Sequence, residues 1–352
     1  MRSIVRKTAI AMIGLGVAGL LPGLPLHQAS ASELDSLSAQ AQKTLSTPAV
    51  QQAVSAAIPQ EFRPLIPDLV PELVEAPTPA VTSPAPQPSS AQAPMAQPTN
   101  PGPQDRNYHW TNDLLSRVLA GKPLDPLVLH RVNGSYFDAP DIPPESHAAE
   151  QQGKSLYGPG TPIYVGNSNL CTLTAAGYDA QGRMIGITAG HCGNQGDSVS
   201  SADSWRVGPT GTVVASNPGA DYSLIQFHDN AEVTRSYNGL TVNTVGGAPR
   251  PGEQVCKTGV ATGTTCGITL NTDSDVLLTQ VCAMQGDSGA PVWQGDRLVG
   301  WVSGGVYPDY NLACHTPLQG MLFMPTVVHR ANSGLADING RGAAGSGFRL
   351  AN

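Results

Sequence analysis

Thirteen prolines fall between residues 59 and 103 of this chain. Proline has no backbone N–H and a fixed φ, so so dense a run forms neither a helix interior nor the middle of a sheet. Ala, Gln, Ser and Thr occupy most positions between the prolines. The stretch 59–105 is therefore predicted to be an extended, largely disordered linker. The core must be built elsewhere. Before the linker, Leu34, Leu37, Ala41 and Leu45 recur at helical spacing and predict a short helical segment over 32–58. Residues 1–31 read as a secretory leader: Arg2, Arg6 and Lys7 precede an uncharged run over 8–26, and Ala29-Ser30-Ala31 is a small-residue cleavage pattern. An uncleaved anchor is the rival, but Pro22 and Pro25 interrupt the apolar run. No later stretch has the ~18 continuous apolar residues of a membrane span. A soluble, extracytoplasmic chain without a membrane span after leader removal is expected.

Composition narrows the rest. Of 352 residues only 13% are charged, and 39 glycines and 31 prolines point to a turn-rich chain, not a helix bundle. The net charge of -7 argues against a nucleic-acid partner, which would meet a basic face. Residues 106–154 are polar and proline-punctuated, with one candidate short helix over 111–120 ending at Gly121. They read as an irregular or pro-region-like extension. From 155 to about 335 the texture changes. Short β-rich runs (161–165, 184–188, 211–215, 222–227, 241–245, 276–281 and 298–302) alternate with turn residues, and Asn238-Gly239 is a hairpin signal. This predicts an all-β domain. Residues 336–352, with four glycines, read as a loose tail.

All six cysteines (Cys171, Cys192, Cys256, Cys266, Cys282 and Cys314) lie within the β-rich region. An even number in a secreted chain implies disulfides, although the residues alone do not choose the pairing. Zinc is disfavoured, since no Cys-x-x-Cys occurs and His191 beside Cys192 is not ligand spacing.

Three segments carry the residue types of nucleophilic catalysis: Thr188-Ala189-Gly190-His191-Cys192, Asp221-Tyr222-Ser223-Leu224-Ile225, and Gly286-Asp287-Ser288-Gly289-Ala290-Pro291. A serine hydroxyl needs a base within reach, and imidazole suits that work near neutral pH. A carboxylate on the other ring nitrogen fixes the tautomer. Backbone N–H groups of Gly286 and Ser288 are candidates to hold the oxyanion, because glycine lets the chain turn tightly there. Each residue alone has a bland reading as a turn or surface residue. Gly-Asp-Ser-Gly arises at a given position with a chance of roughly 10⁻⁵, and here it follows the other two segments in order.

With these motifs the chain resembles the chymotrypsin-type serine proteases, and within them the secreted bacterial branch of the streptogrisins and α-lytic protease. The likeness covers roughly residues 155–330. Val255-Cys256-Lys257-Thr258-Gly259 with Thr265-Cys266-Gly267 resembles the bacterial branch in particular, and Ser303-Gly304-Gly305 resembles the strand that binds substrate backbone. The resemblance implies two Greek-key six-stranded β-barrels with the active site in the cleft between them. It implies a triad of His191, Asp221 and Ser288, an oxyanion hole at Gly286 and Ser288, and disulfides 171–192, 256–266 and 282–314. Ala290 departs from the family's usual glycine. In the bacterial branch a basic side chain after one cysteine pairs with the Asp before the nucleophile, which implies a structural pair between Lys257 and Asp287.

The function so implied is secreted endopeptidase activity on protein or peptide substrates, with no metal or organic cofactor and a monomeric chain. An inactive, protease-like binding protein on a proline-rich stalk is the alternative, and loss of any triad residue would have favoured it. The residues before 155 suit either a pro-region or a cell-wall-spanning stalk. In trypsin-like relatives an acid sits six positions before the nucleophile; here Cys282 does. The P1 slot, lined by Ala283, Met284, Gln285, Val302, Ser303, Gly304 and Gly305, is therefore expected to take apolar side chains.

Overall fold

The computed structural model describes residues 108–166 and 169–352. The expected leader, helical segment and proline-rich linker all lie outside the described residues.

The run Tyr222–Phe227 is buried at five of its six positions. It can be apolar on both faces because it is a central strand, hydrogen-bonded to Met184–Thr188 on one side and Gly211–Asn217 on the other. The sheet continues outward from Met184–Thr188 through Ala175–Tyr178 to Arg349–Leu350. From Gly211–Asn217 it continues through Ser198–Ser201 and Pro162–Val165 to Asn169–Thr172. Ile163, Leu173, Ile185, Ile187, Val199, Val213, Leu224 and Ile225 belong to the buried core cluster packed on this sheet. A second sheet runs Arg297–Gly305, Pro291–Gln294, Gln254–Gly259, Gly263–Thr272, Val276–Thr279 and Thr326–Arg330, and the last strand pairs back with the first. That pairing closes a six-stranded barrel around Val255, Leu277, Val292, Val299, Val302 and Val328. β-Branched valines suit such a pleated, curved interior.

The architecture is thus the all-β, two-barrel fold of the resemblance. The first barrel differs in detail: it has eight strands and is an open, half-barrel sheet. One added strand, Arg349–Leu350, comes from the supposed loose tail. That reading needs correction. Residues Ala331–Gly340 form a helix with Ala331, Gly334 and Ile338 buried. The chain then turns back through glycines 342, 345 and 347, all at positive φ, and pairs Arg349 with Tyr178. Those glycines mark tight turns rather than looseness.

The segment before residue 155 is also more ordered than its composition suggests. Its helix spans Leu114–Leu119, with the Asp113 side chain accepting from Ser116 N–H, and a second helix spans Pro144–Gln151. His109–Thr111 and Val128–His130 form a two-stranded ribbon over a small core of Tyr108, Leu129 and Ala139. Thr111, placed in a helix by the sequence, belongs to this ribbon. The three disulfides join Cys171 to Cys192, Cys256 to Cys266 and Cys282 to Cys314.

Candidate active site

His191 lies on a one-turn 3-10 helix directly after the strand Met184–Thr188. Asp221 occupies the turn just before Tyr222–Phe227, the neighbouring strand. Antiparallel pairing of those two strands therefore brings the histidine and the carboxylate together at one end of the two neighbouring strands. The His191 backbone N–H and its Nδ1 lie 3.1 and 3.0 Å from Asp221 Oδ1. On the other side of the ring, Nε2 is 2.7 Å from Ser288 Oγ. The carboxylate only accepts, so Nδ1 carries the proton and Nε2 is left to accept from the serine hydroxyl.

Asp221 has φ of 40°, a left-handed conformation uncommon outside glycine. Buried Trp301 and half-buried Ser303 hold it there. Trp301 Nε1–H donates to its carbonyl at 2.7 Å, and the Ser303 hydroxyl donates to Oδ2. Burial opposes the charge on Asp221. The hydrogen bonds from His191 and Ser303 outweigh that penalty and keep its carboxyl below the usual carboxylate range. In return, the Asp221 hydrogen bond raises the imidazole of His191 above its ordinary value, against the opposing effect of burial.

Ser303 was expected to line the substrate slot. Its hydroxyl instead faces Asp221, because the pairing of Arg297–Gly305 with Thr326–Arg330 slips between Val302 and Gly304. A bulge of this kind re-aims one side chain. Gly304 and Gly305 beyond it remain exposed, and Val302 is buried. Ala283 is half-buried, Met284 is buried with Ala261 and Ala313, and Gln285 is exposed. Met324 was not singled out in the sequence. Its Cε lies 2.1 Å from where a Cβ on Gly305 would stand, so this thioether packs flush on the glycine. Trp301 was missed as well, since a tryptophan in a strand carries no mark of the partner it will meet.

Ser288 follows a turn in which Gly286 has φ of 96°, a value an L-side chain rarely adopts. The amides of Gly286 and Ser288 donate to no protein carbonyl among the described residues. Asp287, between them, is fully buried. Its carboxylate accepts from the amides of Ala261 (2.9 Å), Thr262 (3.3 Å) and Met284 (3.1 Å) and from the Thr262 hydroxyl (2.7 Å). Lys257 Nζ lies 3.3 Å away and is equally buried, with the Thr262 hydroxyl and the Gly263 carbonyl as further partners. Burial pulls the lysine pKa down, partly offset by the charge and hydrogen bond of Asp287. Thr262 and the amides supply what a lysine, lacking arginine's fork, leaves uncovered. Removing the cation leaves a buried carboxylate unpaired, a change of about 3–5 kcal/mol. Lys257→Met is therefore expected to fold poorly or lose turnover, while Lys257→Arg keeps both. Equal, near-normal melting and turnover of the two variants would refute a role for the pair.

Among the described residues no group of three or more His, Cys, Asp or Glu side chains could hold a metal ion.

No family model matches the chain. An uncharacterised protein of Mycobacterium tuberculosis is 34% identical over 141 residues, which is 36% of this chain and 62% of that protein. This chain thus spans less than two-thirds of that relative. Serine protease 2 of Streptomyces fradiae is 31% identical over 163 residues, 42% of this chain and 92% of its own length. The chain belongs to the chymotrypsin-like serine proteases. Within them this protease falls in the bacterial streptogrisin branch, and the resemblance read from its motifs extends over nearly the whole of that Streptomyces relative. The crystal structure of Thermobifida fusca protease A matches with 27% identity and a TM-score of 0.43, covering 56% of this chain and 100% of that one.

Proposed function

We propose that this protease is a secreted serine endopeptidase that cleaves protein or peptide substrates through an acyl-enzyme on Ser288. The observation that carries the reading is the unbroken relay from Asp221 through His191 to Ser288, at 3.0 and 2.7 Å. The general serine-protease scheme then applies to these residues. Ser288 Oγ attacks the scissile carbonyl while His191 Nε2 takes its proton, and the imidazolium later gives that proton to the leaving amine. Asp221 keeps the productive tautomer and stabilises the imidazolium. The Gly286 and Ser288 amides receive the oxyanion. Water repeats the sequence on the acyl-enzyme and frees Ser288.

The leader-like residues and three disulfides support secretion, because disulfides persist in oxidising compartments. Among the described residues no helix is long and apolar enough to cross a membrane. Treatment with a serine-directed phosphonofluoridate tests the function. Stoichiometric label on Ser288 is expected; a folded protein that takes no label there contradicts it.

The P1 preference is proposed to be apolar. Ala283, Met284, Gly304, Gly305 and Met324 bring no charge to the slot, and Cys282 is committed to its disulfide. A buried Arg or Lys of the substrate would find no partner on these walls. In a peptide library, cuts are expected after residues such as Leu, Met, Phe or Tyr. A library cut mainly after Arg or Lys would refute this preference.

A further inference from the structure

Residues 131–137 lie well before the first strand of the barrel domain, in a stretch whose sequence showed no chemistry. They nonetheless touch both barrels. At one end Arg131 is buried and its Nη1–H donates to Asp203 Oδ1 at 2.5 Å, with both side chains 3% exposed. Asp203 follows the strand Ser198–Ser201 of the first sheet, and its other oxygen accepts from the Tyr237 hydroxyl at 2.5 Å. At the other end the segment meets the loops that carry Gly286, Asp287 and Ser288. Val132 Cγ2 stands 3.0 Å from the Cβ that an alanine at 286 would carry, so its methyl covers that turn. The Ser135 hydroxyl donates to the Ala261 carbonyl at 2.5 Å, and the Ala261 amide in turn donates to Asp287 at 2.9 Å. Tyr136 N–H donates to the His315 carbonyl at 2.8 Å, beside the Cys282–Cys314 disulfide.

We propose that this segment is a permanent strap of the active enzyme and that Val132 and Ser135 are positioning residues for the Gly286 and Ser288 amides. The inference rests on the function proposed above. It differs from a removable pro-region in a physical respect. Releasing residues 108–154 would strip Asp203 of its buried guanidinium and uncover the Gly286 turn and the Ala261–Met284 cluster on which Val132 packs. A buried carboxylate left without its partner is strongly destabilising. The strap reaches the reaction only through the turn. Its loss should therefore weaken what the transition state feels and leave ground-state binding nearly intact.

The test has two parts on the full chain expressed with its leader. First, N-terminal sequencing of the purified active species is expected to place its start at or before Tyr108. An active species starting near Ser155, with residues 108–154 gone, overturns the proposal. Second, Val132→Ala and Ser135→Ala are expected to lower kcat about tenfold with KM changed less than twofold, since a misplaced donor forfeits part of the 10²–10³ an oxyanion contact supplies. Val132→Ile and Ser135→Thr should restore kcat. Glu145→Gln, at a contact of the same segment with the Asn238 amide, should leave kcat unchanged. Unaltered kcat in both alanine variants, with the wild type active, overturns the positioning role alone. A wild type that is inactive and unlabelled at Ser288 overturns the underlying function instead.

Discussion

Ser288→Ala and His191→Ala are each expected to lower kcat about 10⁶-fold, and the double variant scarcely further. The near-equality matters more than the size. Ser288 Oγ can attack only as His191 Nε2 takes its proton, and the 2.7 Å contact makes the two a single unit. Once either is gone, the other has nothing to act on. The remaining rate over water, about 10³–10⁴, would come from the Gly286 and Ser288 amides and from binding. Single-turnover assays on a chromogenic peptide amide, with melting curves to show that each variant is folded, provide the measurement. Independent, additive losses would mean that the pair does not act together. A Ser288→Ala variant with near-wild-type turnover would remove this serine from the chemistry.

Asp221→Asn should fold normally and lose about 10⁴ in turnover. The amide can donate to His191 Nδ1, which moves the ring proton to Nε2, where it faces Ser288 and can no longer accept. The variant also changes pH dependence. Asp221 raises the pKa of His191, chiefly through their hydrogen bond and against the effect of burial, so the ring holds its second proton to higher pH than a free imidazole. The base works only when neutral, so kcat/KM is full above that raised pKa and falls as pH drops through it. The acid limb of the wild type is therefore expected above the ordinary imidazole value of about 6.5. With the carboxylate gone, that limb should move to lower pH while the plateau collapses. A plateau within tenfold of wild type, with the limb unmoved, would deny Asp221 this role. Ser303→Ala offers a milder comparison, because it removes one hydrogen bond from the same carboxylate and leaves the charge in place.

Much of this protein was legible without coordinates because its chemistry is written in short contiguous segments. Thr188-Ala189-Gly190-His191-Cys192 and Gly286-Asp287-Ser288-Gly289 are turns whose residue types follow from what a few neighbouring backbone angles demand. Alternation and turn residues likewise marked several strands of each barrel, Met184–Thr188, Tyr222–Phe227 and Val276–Thr279 among them, since strand patterning is local. The long strand Gly263–Thr272 was not read as a strand, although Cys266, Ile268 and Leu270 alternate along it; that apolar face is exposed in the structure and covers no core. Local reading also failed wherever a residue's role depends on a partner far along the chain. Trp301 and Ser303 act on Asp221 about eighty residues away. The glycine-rich end of the chain looked loose, yet Asp337 accepts from Tyr222 and Asn217, and Gly334 packs on the Trp301 ring. The polar stretch around Val132 and Ser135 carried no periodic signal, because it is held by single side chains reaching into preformed loops, not by a repeating apolar face. Residue types and their spacing along the chain determined which groups could do chemistry. Only the closure of the sheets, which brings sequence-distant side chains within hydrogen-bond range, decided what holds those groups in place.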